Sequence, residues 1–333
     1  MKKVSWGVLS TAKIGWDRVL PAMQKSALCS IDAISSRSPD KAREIAAGLG
    51  IPRAYGSYEE LLADPLIEAV YNPLPNHLHV PWTLKALAAG KHVLCEKPIA
   101  VTAAEATTLI EAQRNSGRLL MEAFMVRTHP QWHAAVEVLR SGRIGELRAV
   151  EGHFSYTNLD PVNIRNRTDV AGGGLMDIGC YMILAMRWLF GAEPRRVVSL
   201  VERDPAMGTD RLASCLLDFP QGHGSFTCST QLTPFQRVKA FGTRGRLEIE
   251  IPVNAAPDRP ARIMIDDGRD LYAGGLEVRT FDLCNQYTLQ GDAFSRAIRE
   301  GGALPMSLED SIANMRVIDA LFRSEKSSAW EVV

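Results

Sequence analysis

The first 124 residues alternate short apolar runs with longer amphipathic segments, and this alternation constrains the fold more than any other feature. Apolar runs such as VSWGVLS and KHVLCEKP are typical of buried strands, whereas HVPWTLKALAAG, which ends on Gly90, is typical of a helix. Strands that alternate with helices of this length form βαβ units and a parallel sheet. The sequence therefore predicts an α/β domain with a doubly wound parallel sheet over residues 1–124.

Residues 125–333 show a different pattern, in which strand-like runs follow one another with short turns such as PQGHG and GTRG between several of them. The run LRAVEGHFSYT, residues 147–157, alternates like a half-exposed strand, and the other runs predicted as strands are 196–203, 212–219, 223–231, 236–241, 245–251, 261–265 and 277–282. The predicted helices are 130–141, 174–190, 285–300 and 307–324. Consecutive strands with short turns pair mostly antiparallel. We therefore expect a second, α+β domain over residues 125–333, with a large open sheet that another subunit could cover on one face.

The composition is that of an ordinary globular protein and argues against several partners. Lysine plus arginine and aspartate plus glutamate number 38 each, and the aromatic residues are dispersed, so we expect no nucleic-acid partner. No run approaches the ~18 consecutive apolar residues of a membrane span, and Lys13 interrupts the first apolar run too early for a signal peptide. Six cysteines without C-x-x-C spacing indicate reduced thiols. We expect a cytoplasmic protein that does not bind membranes.

The segment GVLSTAKIG, residues 7–15, stands where a dinucleotide-binding protein carries G-x-G-x-x-G, between the first strand and the first helix. In that motif the first glycine makes the turn, the second admits the pyrophosphate, and the third lets the helix pack on the strand. Here the small residues Ser10 and Ala12 replace two glycines, and Gly15 remains. Amides at a helix N-terminus can still meet phosphate, so this segment alone leaves dinucleotide binding and an ordinary tight turn equally open.

The end of the second predicted strand bears on which dinucleotide would bind. An NAD-binding protein usually places Asp or Glu there, ~20 residues after the motif, to hold the ribose 2′-hydroxyl. Here the strand ends in Ser35-Ser36-Arg37-Ser38, without an acid. Arg37 and the serine hydroxyls suit a 2′-phosphate, which favours NADP. NAD stays open because Asp32 lies only a few residues earlier, and a solvated surface arginine is the plain alternative.

Two further segments carry residue types that catalysis uses. CEKPIA places Lys97 at the carboxyl end of a predicted strand, where open α/β sheets bind ligands, and Pro98 restricts its backbone and allows a cis peptide bond. In GGGLMDIGCY, Asp177 and Tyr181 lie four residues apart and share a helix face, and the three glycines indicate that a ligand approaches the backbone closely. Taken alone, a surface ion pair of Glu96 with Lys97 and a packing tyrosine explain these segments at least as well.

Taken in order, GVLSTAKIG, YNPLPNHLH, CEKP and GGGLMDIGCY resemble the Gfo/Idh/MocA oxidoreductases over nearly the whole chain. S-T-A in the first turn and MEAF point to the branch with glucose-fructose oxidoreductase, dimeric dihydrodiol dehydrogenase and NADP-dependent D-xylose 1-dehydrogenase. The resemblance implies an N-terminal Rossmann domain and a C-terminal α/β domain whose open sheet joins subunits into a homodimer or homotetramer. In two departures, Ser5-Trp6-Gly7 lacks the branch's arginine, and Ile164 stands where many relatives have tryptophan.

The resemblance implies that Lys97, Asp177 and Tyr181 form the catalytic group. The implied activity is hydride transfer between nicotinamide and a ring carbinol or carbonyl of a sugar, polyol or dihydrodiol, as in an aldose 1-dehydrogenase. Free tyrosine, with a pKa near ~10, is a poor base at neutral pH, and a nearby ammonium lowers that pKa. We therefore expect Tyr181 as the acid/base, Lys97 as its electrostatic partner and a donor to substrate, and Asp177 as the orienter of substrate or lysine. Many relatives carry histidine in place of Tyr181.

The resemblance also implies the remaining contacts, with NADP as the expected cofactor and NAD as the alternative. The expected cofactor-binding residues are Ser10, Thr11, Ala12, Ile14, Ser36, Arg37, Leu74, Pro75, Asn76, His79, Glu96, Lys97 and Arg127. The expected substrate-binding residues are Lys97, Asn158, Arg165, Asp177 and Tyr181.

Two other classes of protein stay open, and a metal site is not expected. A non-catalytic dinucleotide sensor would show a broken catalytic set, whereas the set is complete in this chain. An NAD-dependent glycoside hydrolase would retain its cofactor and show no net turnover of added NAD. His129, His133 and Glu137 are spaced four apart, but H-E-x-x-H and a fourth ligand are missing.

Overall fold

The computed structural model describes residues 2–333, which form two compact units. The first unit comprises the described residues up to Thr128 together with Cys284–Ile312. The second comprises His129–Leu283 and Ala313–Val333. The sequence-based division after residue 124 treats both regions as continuous, because residue patterns alone do not reveal that the chain returns to the first unit at Cys284.

The first unit contains a six-stranded sheet in which every pair of neighbouring strands is parallel. Its strands are β1 (Val4–Leu9), β2 (Cys29–Ser35), β3 (Arg53–Tyr55), β4 (Ala69–Asn72), β5 (His92–Cys95) and β6 (Leu120–Glu122). They lie in the order β3-β2-β1-β4-β5-β6. After β1 the chain adds β2 and β3 on one side of it and then β4, β5 and β6 on the other, so the strand order reverses between β1 and β4. The predicted doubly wound sheet is confirmed, and ligands of such sheets bind where this reversal occurs, at the carboxyl ends of the strands.

Helices connect these strands. They are α1 (Leu20–Gln24), α2 (Pro39–Leu49), α3 (Tyr58–Ala63), α4 (His79–Ala88) and α5 (Ala103–Ser116). The start of α2 follows from its sequence, because the Ser38 hydroxyl accepts a hydrogen bond from the Lys41 amide and Pro39 occupies the first turn. It ends at Gly50, whose φ of +65° favours glycine. A π-helical turn, Gly15–Val19, precedes α1.

The second unit contains a nine-stranded sheet in the order β14-β13-β12-β11-β7-β10-β9-β8-β15. Its strands are β7 (Leu147–Thr157), β8 (Arg196–Arg203), β9 (Asp210–Phe219), β10 (Gly222–Ser229), β11 (Gln231–Gly242), β12 (Arg246–Ile249), β13 (Arg262–Asp266), β14 (Leu276–Thr280) and β15 (Glu331–Val332). Only β7 and β10 pair in parallel; the other neighbours are antiparallel. The prediction of a large, mostly antiparallel sheet is confirmed.

Helices cover one face of this sheet. They are α6 (Pro130–Arg140) and α7 (Cys180–Phe190). Where α7 crosses β7 and β10, the strands carry glycines: a Cβ at Gly152 would come within 2.9 Å of the Met182 sulfur, and one at Gly224 within 2.7 Å of the Met186 sulfur. A side chain at either position would force the facing methionine to move, so glycine favours the close approach of helix and sheet there.

The opposite face of the nine-stranded sheet carries apolar side chains that face solvent. Leu200 is 78% exposed, Leu216 48% and Phe235 46%. Along β9 the exposed Leu216 alternates with the buried residues Cys215 and Leu217. A shallow depression of about 580 Å³ lies on this face across β7–β11. We call this surface the open sheet face.

Two helices follow the sheet in the chain. They are α8 (Gln286–Glu300) and α9 (Leu308–Ser327). Helix α8 belongs to the first unit, where the Trp6 indole donates to the Ser295 hydroxyl at 3.2 Å and its ring centre lies 5.5 Å from that of Phe294. Arg299 forms a two-pronged ion pair with Glu68, at 2.7 and 2.6 Å. These contacts fix α8 to the β1 and β4 region of the parallel sheet.

One segment within residues 2–333, Thr168–Phe190, is apolar and long enough by composition to cross a membrane. Charged residues such as Asp177 and Arg187 interrupt its apolar run. Its most apolar window is 83% buried inside the protein, which is the burial of a core helix.

Candidate active site

The turn that follows β1 is held by the two residues that replace glycines. Ser10 has a φ of +103°, a conformation that favours glycine, and its hydroxyl accepts a hydrogen bond from the Ala12 amide at 3.2 Å. The Ser10 amide donates to the Ser35 carbonyl on β2 at 3.0 Å. Thr11 and Ile14 are half-buried beside them. The turn thus keeps its shape without the first two glycines of the motif.

The end of β2 carries a positive charge and no acid. Arg37 is exposed, and Ser36 is buried with its hydroxyl accepting from the Ser38 amide at 3.2 Å. Burial raises the pKa of Tyr58, and a hydrogen bond with Arg37 and the charge of that arginine offset part of the increase. Tyr58 therefore helps to position the Arg37 guanidinium. Sequence patterns do not indicate this partner, because Tyr58 lies on a different element, α3.

Asp32, the residue that kept NAD open, does not reach the end of the strand. It lies within β2, and its carboxylate accepts hydrogen bonds from the hydroxyls of Ser5 and Ser30. Binding of the 2′-phosphate of NADP by Arg37 and the serine hydroxyls at the tip stays a prediction.

His79 links the two loops that were expected to meet the cofactor. Its side chain is 1% exposed, and its ring nitrogens lie 2.6 Å from the Leu74 carbonyl oxygen and 2.7 Å from that of Pro98. The Lys97–Pro98 peptide is cis, as the sequence allows. His79 thus holds the two loops together, and its contact with a cofactor stays a prediction.

The residues on either side of Lys97 are also fixed. The Tyr71 hydroxyl donates to Glu96 Oε1 at 2.6 Å, and the Ile99 amide donates to the buried Glu122 carboxylate at 2.8 Å. Lys97 and Glu96 are half-buried. In the preceding loop Leu74 is buried, whereas the next two residues, Pro75 and Asn76, are half-buried.

Arg127 has partners within the first unit. It lies in a short 3₁₀ turn after β6, its Nε donates to the Pro305 carbonyl at 3.0 Å, and it pairs with Asp310 at 3.2 Å. Its side chain is 16% exposed. Contact with nicotinamide stays a prediction for this residue.

In the second unit, two donors hold the carboxylate of Asp177. Tyr156 donates to Asp177 Oδ2 at 2.6 Å, and Arg165 Nε donates to the same oxygen at 3.0 Å. The Asp177 side chain is 12% exposed. Burial, followed by the charge of Asp177, raises the pKa of Tyr156, so its phenol stays a donor. The structure thus brings the predicted Asp177 and Arg165 together and adds Tyr156, which only strand alternation in β7 could have suggested.

Tyr181 follows Asp177 on the same helical segment. The segment begins with a π-helical turn, Leu175–Gly179, before α7, and such turns are frequent at functional sites. Tyr181 is 6% exposed, and its ring centre lies 6.2 Å from that of Phe154 on β7. Its phenol is therefore held in a protected environment.

The glycines before this helix serve the protein's own backbone. A Cβ at Gly172 would come within 2.6 Å of the carbonyl oxygens of Ile164 and Arg165, and one at Gly173 within 1.9 Å of the Asp210 carboxylate. Packing within the protein is therefore sufficient to require these glycines, and close approach of a ligand to this backbone stays a prediction.

Asn158 lies in the loop after β7 and supports that loop. Its side-chain oxygen accepts from the Asp160 amide at 3.1 Å, and its carbonyl accepts from the Asn166 side chain at 3.0 Å. A contact of Asn158 with substrate stays a prediction.

The histidines with metal-like spacing have other contacts. His129 caps α6 by accepting from the Gln131 amide at 3.2 Å, and His133 lies edge-on to Trp188 with ring centres 6.0 Å apart. Among residues 2–333, no group of three or more His, Cys, Asp or Glu side chains is arranged to hold a metal ion.

A doubly wound parallel sheet in the order β3-β2-β1-β4-β5-β6 defines the class of dinucleotide-binding α/β proteins. Residues 4–124 match the family model for the oxidoreductase family with an NAD-binding Rossmann fold, and residues 132–248 match the GFO/IDH/MocA C-terminal domain. The chain belongs to the Gfo/Idh/MocA oxidoreductase family. It is an NAD(P)-dependent oxidoreductase that acts on CH–OH groups.

Three similar proteins illustrate the range of the family. An uncharacterized oxidoreductase, ORF334, from Rhizobium meliloti is 46% identical over the full length of both chains. A D-xylose 1-dehydrogenase (NADP(+)) from Haloferax volcanii is 39% identical, covering 97% of this chain and 98% of its own. The crystal structure of an aldose-aldose oxidoreductase from Caulobacter crescentus, complexed with glycerol, superposes with a TM-score of 0.91 at 27% identity over the full length of both chains.

Proposed function

We propose that this protein is an NADP-dependent dehydrogenase of an aldose or a related polyol, which oxidises a ring carbinol or reduces the corresponding carbonyl. The observation that carries the proposal is the half-buried Asp177 carboxylate, which Tyr156 and Arg165 hold just before Tyr181 in the chain. A fixed carboxylate can accept hydrogen bonds from neighbouring hydroxyls of a polyol. The substrates named for the Haloferax and Caulobacter proteins support a sugar.

The proposed chemistry uses three residues. Tyr181 takes the hydroxyl proton during oxidation and returns it during reduction. Lys97 donates a hydrogen bond to the reacting oxygen, and its positive charge favours the phenolate form of Tyr181. Asp177 orients the substrate or the lysine, and Asn158 and Arg165 are proposed as further substrate contacts. The nicotinamide, when bound, exchanges the hydride with the reacting carbon.

NADP is the proposed preferred cofactor. Ser36 and Arg37 are proposed to hold its 2′-phosphate, since the tip of β2 offers a guanidinium and no carboxylate. The turn after β1, with Ser10, Ala12 and their neighbours Thr11 and Ile14, is proposed to meet the pyrophosphate through its backbone amides. For the nicotinamide end, the proposed contacts are Leu74, Pro75, Asn76, Glu96, Lys97 and Arg127, with His79 as the support of their loops.

The test is the absorbance of reduced nicotinamide with purified protein. NADP and NAD are offered in parallel with a panel of aldoses, polyols and dihydrodiols, and Lys97→Met is assayed beside the wild type. We expect reduction of NADP with at least one aldose and a loss of about a hundredfold or more in kcat for Lys97→Met, since general acid–base groups typically contribute that much.

The outcomes separate the proposal from its rivals. Preference for NAD would show that Arg37 does not select the cofactor. Binding of a dinucleotide without turnover on any substrate would contradict the dehydrogenase and favour the sensor. Cleavage of a glycoside by protein that retains its NAD would identify the hydrolase.

We further propose that the protein is a homodimer or homotetramer joined through the open sheet face, and that it works in the cytoplasm. Exposed apolar side chains such as Leu200 support the first point, because large apolar patches commonly mark interfaces. All six cysteines are free thiols, five of them buried, which supports a reducing compartment.

A further inference from the structure

Asp210, the first residue of β9, is a buried carboxylate that none of the proposed roles uses. It is 1% exposed. Its Oδ2 accepts a hydrogen bond of 2.6 Å from the amide of Leu175, the first residue of the helical segment that carries Asp177. A strand of the sheet thus caps the start of that helix. Burial raises the pKa of Asp210 to about 7, because it favours the neutral carboxyl over the charged carboxylate.

The other oxygen of Asp210 closes the turn that leads into this helix. A Cβ at Gly173 would lie 1.9 Å from Oδ1, and Gly173 has a φ of +123°, which favours glycine. On its far side, the Gly173 amide donates to the Arg165 carbonyl at 2.8 Å. The turn is therefore fixed between Asp210 and the backbone of Arg165.

This turn is connected to the Asp177 carboxylate by two short paths. The Gly173 carbonyl accepts from the Asp177 amide at 3.0 Å. The side chain of Arg165, whose carbonyl holds Gly173, donates to Asp177 Oδ2. A shift of the turn would move the backbone of Asp177 and the arginine that holds its carboxylate.

We propose that Asp210 is a positioning residue for the reaction, which acts by fixing the start of the helix that carries Asp177 and Tyr181. The proposal rests on the proposed function for the roles of those two residues. A displacement of catalytic groups by about 1 Å can cost on the order of a hundredfold in rate. Loss of the Asp210 carboxylate is therefore expected to lower kcat much more than it affects cofactor binding.

The experiment compares Asp210→Ala, Asp210→Asn and a matched control, Asp266→Ala. Asp266 lies in the same unit, is 2% exposed, and accepts from a backbone amide, that of Gly268, at 2.9 Å. We expect Asp210→Ala to lower kcat about tenfold to a hundredfold while the Kd for NADPH, measured by fluorescence, changes less than about twofold. Asp210→Asn keeps an oxygen for the Leu175 amide and should restore most of kcat.

The control separates positioning from stability. Asp266→Ala should lower the Tm and leave kcat unchanged. Equal kcat losses for Asp266→Ala and Asp210→Ala would overturn the proposal, as would an unchanged kcat in Asp210→Ala. If Asp210→Ala does not fold, Gly173→Ala provides the test instead. Its methyl group would displace the same turn while Asp210 stays intact. An unchanged kcat in Gly173→Ala would contradict the proposal.

A second readout needs no activity. The protein is labelled with 3-fluorotyrosine, and the ¹⁹F resonance of Tyr181 is assigned with Tyr181→Phe. We expect this resonance to shift in Asp210→Ala or Gly173→Ala and to stay in place in Asp266→Ala. If the wild type turns over none of the substrates, the proposed function fails, yet a shifted resonance still supports the positioning role, and an unshifted one rejects it.

Discussion

At the scale of single residues, Arg37 at the tip of β2 has a partner from another element, Tyr58 of α3. Arg37 has a long, exposed side chain. Its partner Tyr58 lies on α3 and is 6% exposed. An arginine held by a buried neighbour loses less conformational freedom when it binds phosphate. We therefore expect Tyr58 to contribute to the affinity for NADP without touching it.

The substitution Tyr58→Phe tests this contribution. We expect the Kd for NADPH to rise about threefold to tenfold, which corresponds to one hydrogen bond of about 1 kcal/mol, with the Kd for NADH unchanged. Titration of nicotinamide fluorescence measures both constants. Tyr55→Phe is the matched control, because the Tyr55 phenol donates to Asp64 at 2.9 Å in the same unit. Equal losses for NADPH and NADH would contradict the assignment of Tyr58 to the phosphate end.

At the scale of elements, the ion pair between Glu68 and Arg299 joins the start of β4 to α8. The hydrogen bonds of Arg299 hold the pKa of Glu68 down, at about 2. A depressed carboxyl pKa contributes stability that is present above the ordinary pKa of glutamate and is lost as the pH falls through the folded value. The contribution is reduced because the side chains are 32% and 19% exposed.

We therefore expect Glu68→Gln to lower the free energy of unfolding by about 1–2 kcal/mol at pH 7. The difference from the wild type should shrink as the pH falls from about 4.5 toward 2. Urea unfolding at pH 7 and at pH 3.5 measures it. Glu59→Gln, which breaks the exposed pair with Lys85, should cost less than about 0.5 kcal/mol. A pH-independent loss for Glu68→Gln would show that packing rather than charge is responsible.

At the scale of the whole molecule, the open sheet face should determine the oligomeric state. Leu216→Arg places a charge among apolar side chains on β9, so an interface there would lose its complementarity. We expect sedimentation velocity to show a smaller particle for this variant. Leu271→Arg, at a position 95% exposed beyond β13, is the control and should leave the mass unchanged. An unaltered mass for Leu216→Arg would place the subunit contact elsewhere.

The parts of the fold that could be predicted from sequence are those with local causes. Ser38, Pro39 and Gly50 specify the limits of α2 through capping and backbone preference, and the period of apolar residues distinguishes the two sheets. Lys97 could be placed at a strand end for the same reason. Asp210 and Tyr58 could not be placed, because their contacts join residues 35 and 21 positions apart, and no local pattern records such pairs.

In the turn after β1, by contrast, the sequence pattern understates a feature that the structure contains. The replacement of a glycine by Ser10 weakened the dinucleotide motif in the sequence, yet the structure keeps the turn by a positive φ and a hydroxyl contact to Ala12. A Cβ at the retained Gly15 would meet Tyr71 at 3.7 Å, an ordinary contact distance. The residue types of the motif therefore indicate less about the shape of the turn after β1 than its backbone conformation does.

The return of α8 to the first unit has a consequence for folding during synthesis on the ribosome. Trp6 cannot reach Phe294 and Ser295 until residues 129–283 have been translated. At 5–20 residues per second this delay is about 10–30 s. During that time Trp6 on β1 lacks its contacts with α8. A transplanted dinucleotide-binding cassette should for the same reason include Cys284–Ile312 as well as the residues before Thr128.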